Sequence, residues 1–357
     1  MGYILAGSRD KGGVWSISYI LQDIRLLIMD DVKDDIFEAV RQYEPNNPFL
    51  RMKNAFGGRL IRHNNTFEVM GLENGKLCAV VQSPNFFTYY RGEPNLYDTC
   101  FPSLYRGNLS DEEIIINHLK VLDFRDICRT FPTAQFAEND GLDVRYDAIA
   151  QHYGLKTDII DITSDIVVAA YFATQEYDED TDSYHPVTDG FGCIRRTIQM
   201  MDMPGFQGMI IGVQPFLRTA RQAAYGYVCK RGEDFSACSY HVVFKQNSHM
   251  NKIISDIFAQ KEEYNLFPDE PITFAAKEVL KASVITRASV EEYCRAEMKE
   301  YGNIVQMLRT HGFEITGKPV FKLTRQQRRM LEKQIQKGYP YGNIEFNSRL
   351  MIRPPPE

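Results

Sequence analysis

The chain has 357 residues, 44% apolar and 25% charged, a composition that excludes a disordered, collagenous or disulfide-scaffold protein. Its 47 acidic against 41 basic side chains give a net charge of −6. That balance argues against general nucleic-acid binding and leaves room only for a local basic patch.

Met1 to Gly13 lacks the basic start and apolar core of a secretory signal, and Ala6 breaks the myristoylation pattern. No apolar run approaches the ~20 residues that cross a bilayer. Ile159–Ala173 comes nearest, and Asp161 and Asp165 interrupt it. The cysteines at 78, 100, 128, 193, 229, 238 and 294 are odd in number and contain no C-x-x-C pair. The expectation is a cytoplasmic protein with reduced thiols, no metal site and no membrane partner.

In chain order, Ile20, Ile24, Leu27 and Ile28, then Val32, Ile36, Phe37 and Val40, recur at helical spacing. Glu73–Gly75 predicts a turn into a strand over Leu77–Gln82, and a second strand follows in the aromatic run from Phe86. Ser110 ahead of Asp111, Glu112 and Glu113 predicts a helix start, continued by Ile115, His118, Leu119 and Leu122. A helix is predicted from about Asp143 to Ala150, stopping at Gly154, then a strand over Thr157–Ile162. Ser164 or Asp165 caps a helix over Ile166–Thr174. Strands are predicted over Met209–Val213, Ala224–Lys230 and Tyr240–Phe244, and helices over Val290–Glu300 and Thr324–Lys337. This irregular order predicts an α+β fold with a mixed or antiparallel central sheet and flanking helices. Three regions are expected: an N-terminal extension to about 75, a core over about 76–275, and a mostly helical remainder.

Phosphate-loop, dinucleotide-fingerprint, nucleophile-elbow and zincin motifs are all absent. Asp178, Asp180 and Asp182 have calcium-loop spacing, but Ser183 replaces the turn glycine and Asp189 the bidentate glutamate, so a solvated loop is expected. The basic segment Thr324–Lys337 is expected to be a solvated helix face.

Three segments place polar groups in apolar surroundings. In Phe86–Glu93, Gly92 lets a backbone or ligand approach closely, and it follows Arg91, which ends an aromatic strand. The guanidinium is the second feature of that segment. Its planar fork suits a phosphate or carboxylate, or equally a buried acid or backbone carbonyls that fix the fold. In Gln151–Thr163, His152 is a candidate base or a helix-end donor. Asp161 lies among isoleucines and needs a partner, for which Arg91 is the expected one. In Arg218–Val228, Arg221 and Gln222 precede a strand and are placed to enter a cleft.

Together these segments resemble the FRG domain, a bacterial family. The resemblance runs over about residues 80–275 and rests on an ordered set of motifs. These are Tyr90-Arg91-Gly92, Pro102-Ser103-Leu104 with Arg106, Gln151-His152-Tyr153-Gly154, Thr157, Asp161, Thr163, Arg221–Val228 and Leu266–Asp269. Lys156, Asp158 and Ile162 depart from the family's usual proline, arginine and tryptophan. The core is also similar to ADP-ribosyltransferases of the R-S-E type, which implies NAD as cofactor. In that likeness Arg91 clamps the pyrophosphate beside Gly92, Tyr90 or Tyr153 stacks on nicotinamide, and Thr163 holds the middle position. Gln222 falls at the catalytic glutamate, with Glu233 approaching from the following turn, while Asp161, Thr157, Arg106 and Arg221 support the site. The implied role is bacterial stress or phage defence, acting on an anionic small molecule or nucleotide. Two alternatives stand beside it: a non-catalytic module binding a nucleotide, nucleic-acid end or protein, and a nucleotide-processing hydrolase using His152 and Asp161.

Overall fold

The computed structural model describes residues 32–47, 50, 67–71, 76–81, 87–107, 109–199, 201, 206–260, 262–336 and 346–351. The predicted helical positions 20–28 and the turn at 73–75 lie outside them. The helices are α1 (Ile36–Tyr43), α2 (Asp111–Arg129), α3 (Pro132–Asn139), α4 (Tyr146–His152), α5 (Ile166–Thr174) and α6 (Leu217–Arg221). They continue with α7 (Ser248–Ala259), α8 (Pro271–Lys281), α9 (Arg287–Ala296), α10 (Tyr301–Thr310) and α11 (Arg325–Gln336). The strands are β1 (Phe67–Gly71), β2 (Leu77–Val81), β3 (Thr88–Glu93), β4 (Ile159–Thr163), β5 (Gln175–Asp178), β6 (Ser183–Pro186) and β7 (Phe191–Ile198). After them come β8 (Gly208–Ile210), β9 (Ala224–Val228), β10 (Tyr240–Lys245), β11 (Val284–Thr286), β12 (Glu314–Thr316) and β13 (Phe346–Met351).

The fold is α+β. Its main sheet is antiparallel, in the order β10-β7-β3-β4-β9-β8. The central junction is unusual. β3 pairs with β7 over its whole length, from Thr88↔Ile198 to Glu93↔Cys193, but with β4 only through Tyr90↔Thr163. Beyond that pair β3 and β4 separate, and the sheet forks.

Helix α5 lies across the fork. Every residue in it except Phe172 is buried, as expected of a helix that is apolar all round. The Asp165 carboxylate accepts the Val167 N–H at 2.8 Å and starts the helix. Its small residues meet Gly92, where an added Cβ would stand 1.8 Å from the Ala169 carbonyl oxygen. This cluster extends to Ile36, Phe37 and Val40 of α1 and Ile254, Ile257 and Phe258 of α7. A second core, built on Phe124, Phe131, Ile149 and Phe216, takes in Ile272 of α8 and Leu331 of α11.

Helix α2 begins as expected. Ser110 Oγ accepts the Glu113 N–H and Glu113 accepts the Ser110 N–H, a complete capping box. Helix α4 begins at Tyr146 rather than Asp143, because the Asp143 N–H bonds the Leu77 carbonyl and its carboxylate pairs with Arg145 and Lys76. The acidic run expected to be a loop is the β5–β6 hairpin. Tyr177 and Tyr184 face each other across it with ring centroids 5.3 Å apart, and the cross-strand pair outweighs the charge. Among the described residues, no helix is long and apolar enough to cross a membrane.

Candidate functional site

The fork opens into a cavity of about 850 Å³. One wall is the free edge of β3, with Arg91, Gly92 and Glu93; the opposite wall is Asp161, Ile162 and Thr163 of β4 with Gln151 and His152. The segment Pro94–Gly107 and the β5–β6 hairpin close the sides and bring Tyr97, Arg106 and Tyr177 to it.

Arg91 bridges the fork. Its Nε donates to Glu93 Oε1 at 3.1 Å and its Nη1 to the Asp161 backbone carbonyl at 3.0 Å. The expected bridge to the Asp161 carboxylate is therefore not formed: the guanidinium satisfies a β4 carbonyl that the separating strands leave without a ladder partner. Nη2 has no protein acceptor among the described residues. Across the site, Arg106 donates Nε to the Phe101 carbonyl at 2.7 Å. Its two terminal nitrogens are likewise without acceptors among the described residues. Desolvation, and then the like charge of Arg91, push the Arg106 guanidinium down from its ordinary value. Two cations thus border one space, and only Arg106 is pushed down; burial of Arg91 is outweighed by neighbouring acidic groups, Glu93 and Asp161 among them.

Glu93 anchors the arrangement. It is nearly fully buried and sits between Arg91 and Arg195, whose Nε donates to Glu93 Oε2 at 2.7 Å. Burial pushes its carboxyl up, but Arg91 and Arg195 outweigh this and hold it at about 2. Because the folded value is depressed below the ordinary 4.5, the stability from Glu93 is complete above about pH 5 and is lost as pH falls toward 2. The stability gap between wild type and Glu93→Gln, read from urea midpoints, is expected to be constant from pH 7 to 5. It should then narrow by roughly 3 kcal/mol toward pH 2. A gap that does not move with pH would show that Glu93 is not held charged.

Asp161 is held from behind. Its Oδ2 accepts Gln151 Nε2 at 3.0 Å, and Gln151 Oε1 in turn accepts Thr157 Oγ1 at 2.7 Å and Ser103 Oγ at 3.2 Å. Asp161 Oδ1 stands 3.6 Å from His152 Nε2. Both atoms are sealed from solvent and have no hydrogen-bond partner. His152 Nδ1 lies 2.9 Å from Gln222 Oε1. Gln222 Nε2 donates to the Leu266 carbonyl at 3.1 Å, which turns Oε1 toward the ring and assigns the hydrogen to Nδ1. The Asp161 side chain remains 35% exposed, leaving Oδ2 as the oxygen that can face the cavity.

Several expected site residues are placed differently. Gln222 borders the cavity, but both ends of its amide are engaged and it orients His152. Thr163 Oγ1 donates to the Gln222 carbonyl and accepts the Asp165 N–H, so it braces the turn. Tyr90 borders the cavity, while its hydroxyl donates to Glu44 and its ring packs on Tyr43. Gly92 borders the cavity and also admits the backbone of α5, which an added Cβ would meet. Tyr153 is not part of the cavity wall: its hydroxyl donates to Glu270 and its ring lies under Arg218, in the helical core. Glu233 is also elsewhere, accepting Gln207 Nε2 and the Lys230 N–H in its own turn. Arg221 donates to the Glu262 and Asn265 carbonyls, steadying the loop whose Leu266 holds Gln222. Glu93, Gln151 and Arg195 were given no separate role in the sequence. Glu93 and Gln151 stood within the segments already singled out, whereas Arg195 lies on β7, a strand that was not predicted.

These features define an α+β protein with a forked antiparallel sheet and a two-arginine cleft at the fork. Residues 87–182 match the family model described as the FRG domain, so this part of the chain is an FRG domain. The match ends before Arg221, Gln222 and Leu266. No match to a curated protein or to a solved structure was found.

Proposed function

We propose that the cavity binds a nucleotide through its pyrophosphate and serves NAD-dependent ADP-ribosyl transfer. One juxtaposition supports this: Arg91, Arg106 and Asp161 border the same cavity of about 850 Å³. That volume falls within the range of roughly 300–1,000 Å³ common to ligand pockets. The acceptor-free nitrogens of Arg91 and Arg106 suit the two charges of a pyrophosphate. Bound NAD supplies an ADP-ribosyl group and a nicotinamide leaving group.

Asp161 then has a defined task. Its carboxylate stabilises the positive charge that develops at the sugar carbon as the carbon–nitrogen bond breaks. The bonding pair leaves with nicotinamide, the acceptor's nucleophilic atom bonds the same carbon, and the acceptor's proton passes to water. His152 and Gln151 keep the carboxylate oriented. The reading of His152 as a hydrolytic base is less well supported, because Nε2 is sealed from solvent and a base needs to reach its proton donor.

Calorimetry with ADP-ribose and chromatography of nicotinamide released from NAD test the proposal. Wild type is expected to do both. Arg106→Ala, which leaves the Glu93 pairing untouched, should weaken ADP-ribose binding about tenfold or more with an unchanged far-UV spectrum. Binding without nicotinamide release would make the domain a binding module, and no binding at all would remove the reading.

A further inference from the structure

Helix α11 carries charge that contrasts with the rest of the molecule. Its residues 325–336 contain four Lys and Arg against a single carboxylate, Glu332, in a chain of net charge −6. Among the described residues, the helix is fixed to the body on one side. Leu331 is buried in the helical core, and Arg328 Nη2 donates to the Thr130 carbonyl at 2.9 Å. Arg325, Arg329 and Lys333 are exposed and lie outside that anchor. None of the three has an ion pair among the described residues. With Gln326, Met330 and Gln334 they line a groove of about 580 Å³.

We propose that this face of α11 binds the phosphate backbone of a single-stranded nucleic acid. The three cations recur every four residues, which places them about 6 Å apart along the helix axis. That repeat matches successive phosphates of an extended strand, so Arg325, Arg329 and Lys333 take one phosphate each. Gln326 and Gln334 add donors and acceptors for sugar and base edges. A lipid surface fits less well, because Met330 is the sole apolar residue in the groove and a membrane-seated helix needs a broad apolar face. The net charge of the chain opposes indiscriminate binding; the segregation of cations on one anchored helix confines the interaction to that face. The surface is independent of the forked-sheet cavity, which it shares no residue with.

Fluorescence anisotropy with a labelled 20-nucleotide single strand of mixed sequence tests this on the full chain. Binding is expected at 50 mM salt and should weaken roughly 20-fold by 200 mM, the dependence for about three phosphates on a single strand. The triple variant Arg325→Gln/Arg329→Gln/Lys333→Gln should abolish it while keeping the wild-type melting temperature. Glu332→Gln should tighten it about twofold. The proposal is overturned if wild type does not bind at 50 mM, or if the folded triple variant binds as wild type does. Capture on phosphatidylserine–phosphatidylcholine vesicles with no binding to the oligonucleotide would also overturn it.

Discussion

Gly92→Ala is expected to cost about 3 kcal/mol or more of folding stability, the upper end of what overpacking does, and to send much of the protein into the insoluble fraction. The added methyl would stand 1.8 Å from the Ala169 carbonyl oxygen and 2.5 Å from the Ala173 nitrogen. Both are backbone atoms of α5, so no side-chain rotation relieves the clash. Nor can α5 retreat, because all of its residues but Phe172 are buried and its first turn is held by Asp165. Moving it would open the cluster that joins Tyr90, Ile194 and Phe244 to helices α1 and α7. Gly317→Ala is the matched control. An added Cβ there meets nothing within 4 Å, and no loss is expected. A near-wild-type urea midpoint for Gly92→Ala would mean that α5 does not sit on β3 as described.

The same glycine shows how far residue patterns carry the fold. Tyr90-Arg91-Gly92 predicted a strand end and a close approach, and both are present. What approaches is the backbone of α5, some eighty positions along the chain, and no local signal reveals that pairing. The elements with strong periodicity or capping chemistry were legible: the capping box at Ser110 and Glu113, the Asp165 cap, and the strand leading to Thr163. Strand β7 was not. Its run Phe191–Ile198 places Arg195 and Arg196 consecutively, which reads as a polar break. In the sheet Arg195 is buried because Glu93 neutralises it, a partner about a hundred residues away in sequence. Propensity reasoning fails at such a paired charge because burial there depends on a long-range partner.

The site was legible as a set of residues and not as a set of roles. Arg91, His152, Asp161, Thr163 and Gln222 do converge at one cavity. Their hydrogen bonds depart from the arrangement that the R-S-E likeness implies. Gln222, which that likeness sets at the glutamate position, borders the cavity with both ends of its amide engaged, and Asp161, expected to neutralise Arg91, keeps a partly exposed side chain. A sequence alignment to a motif assigns positions, whereas direction depends on hydrogen bonds made across the fork. The Leu266 carbonyl turns the Gln222 amide, and Gln222 turns the imidazole.

Asp161→Asn is expected to lower nicotinamide release from NAD by about 10²–10³-fold, the usual effect of removing one electrostatic group that acts in the transition state. The substitution is close to isosteric and keeps an oxygen that can accept Gln151 Nε2. It also leaves the backbone carbonyl that receives Arg91 unaltered, so the fork and its two arginines should stay in place. Affinity for ADP-ribose should therefore change little. The fall should appear in kcat with KM nearly constant, because the lost interaction develops only as positive charge does. Gln222→Ala supplies the graded comparison: it leaves the carboxylate present and releases His152 from its Nδ1 partner, so a loss of about tenfold is expected from misorientation. If Asp161→Asn retains wild-type kcat while Arg106→Ala loses binding, the cavity is a nucleotide site whose acid lies elsewhere on its wall. Glu176 is then the carboxylate to replace next, since it borders the same space from the β5–β6 hairpin.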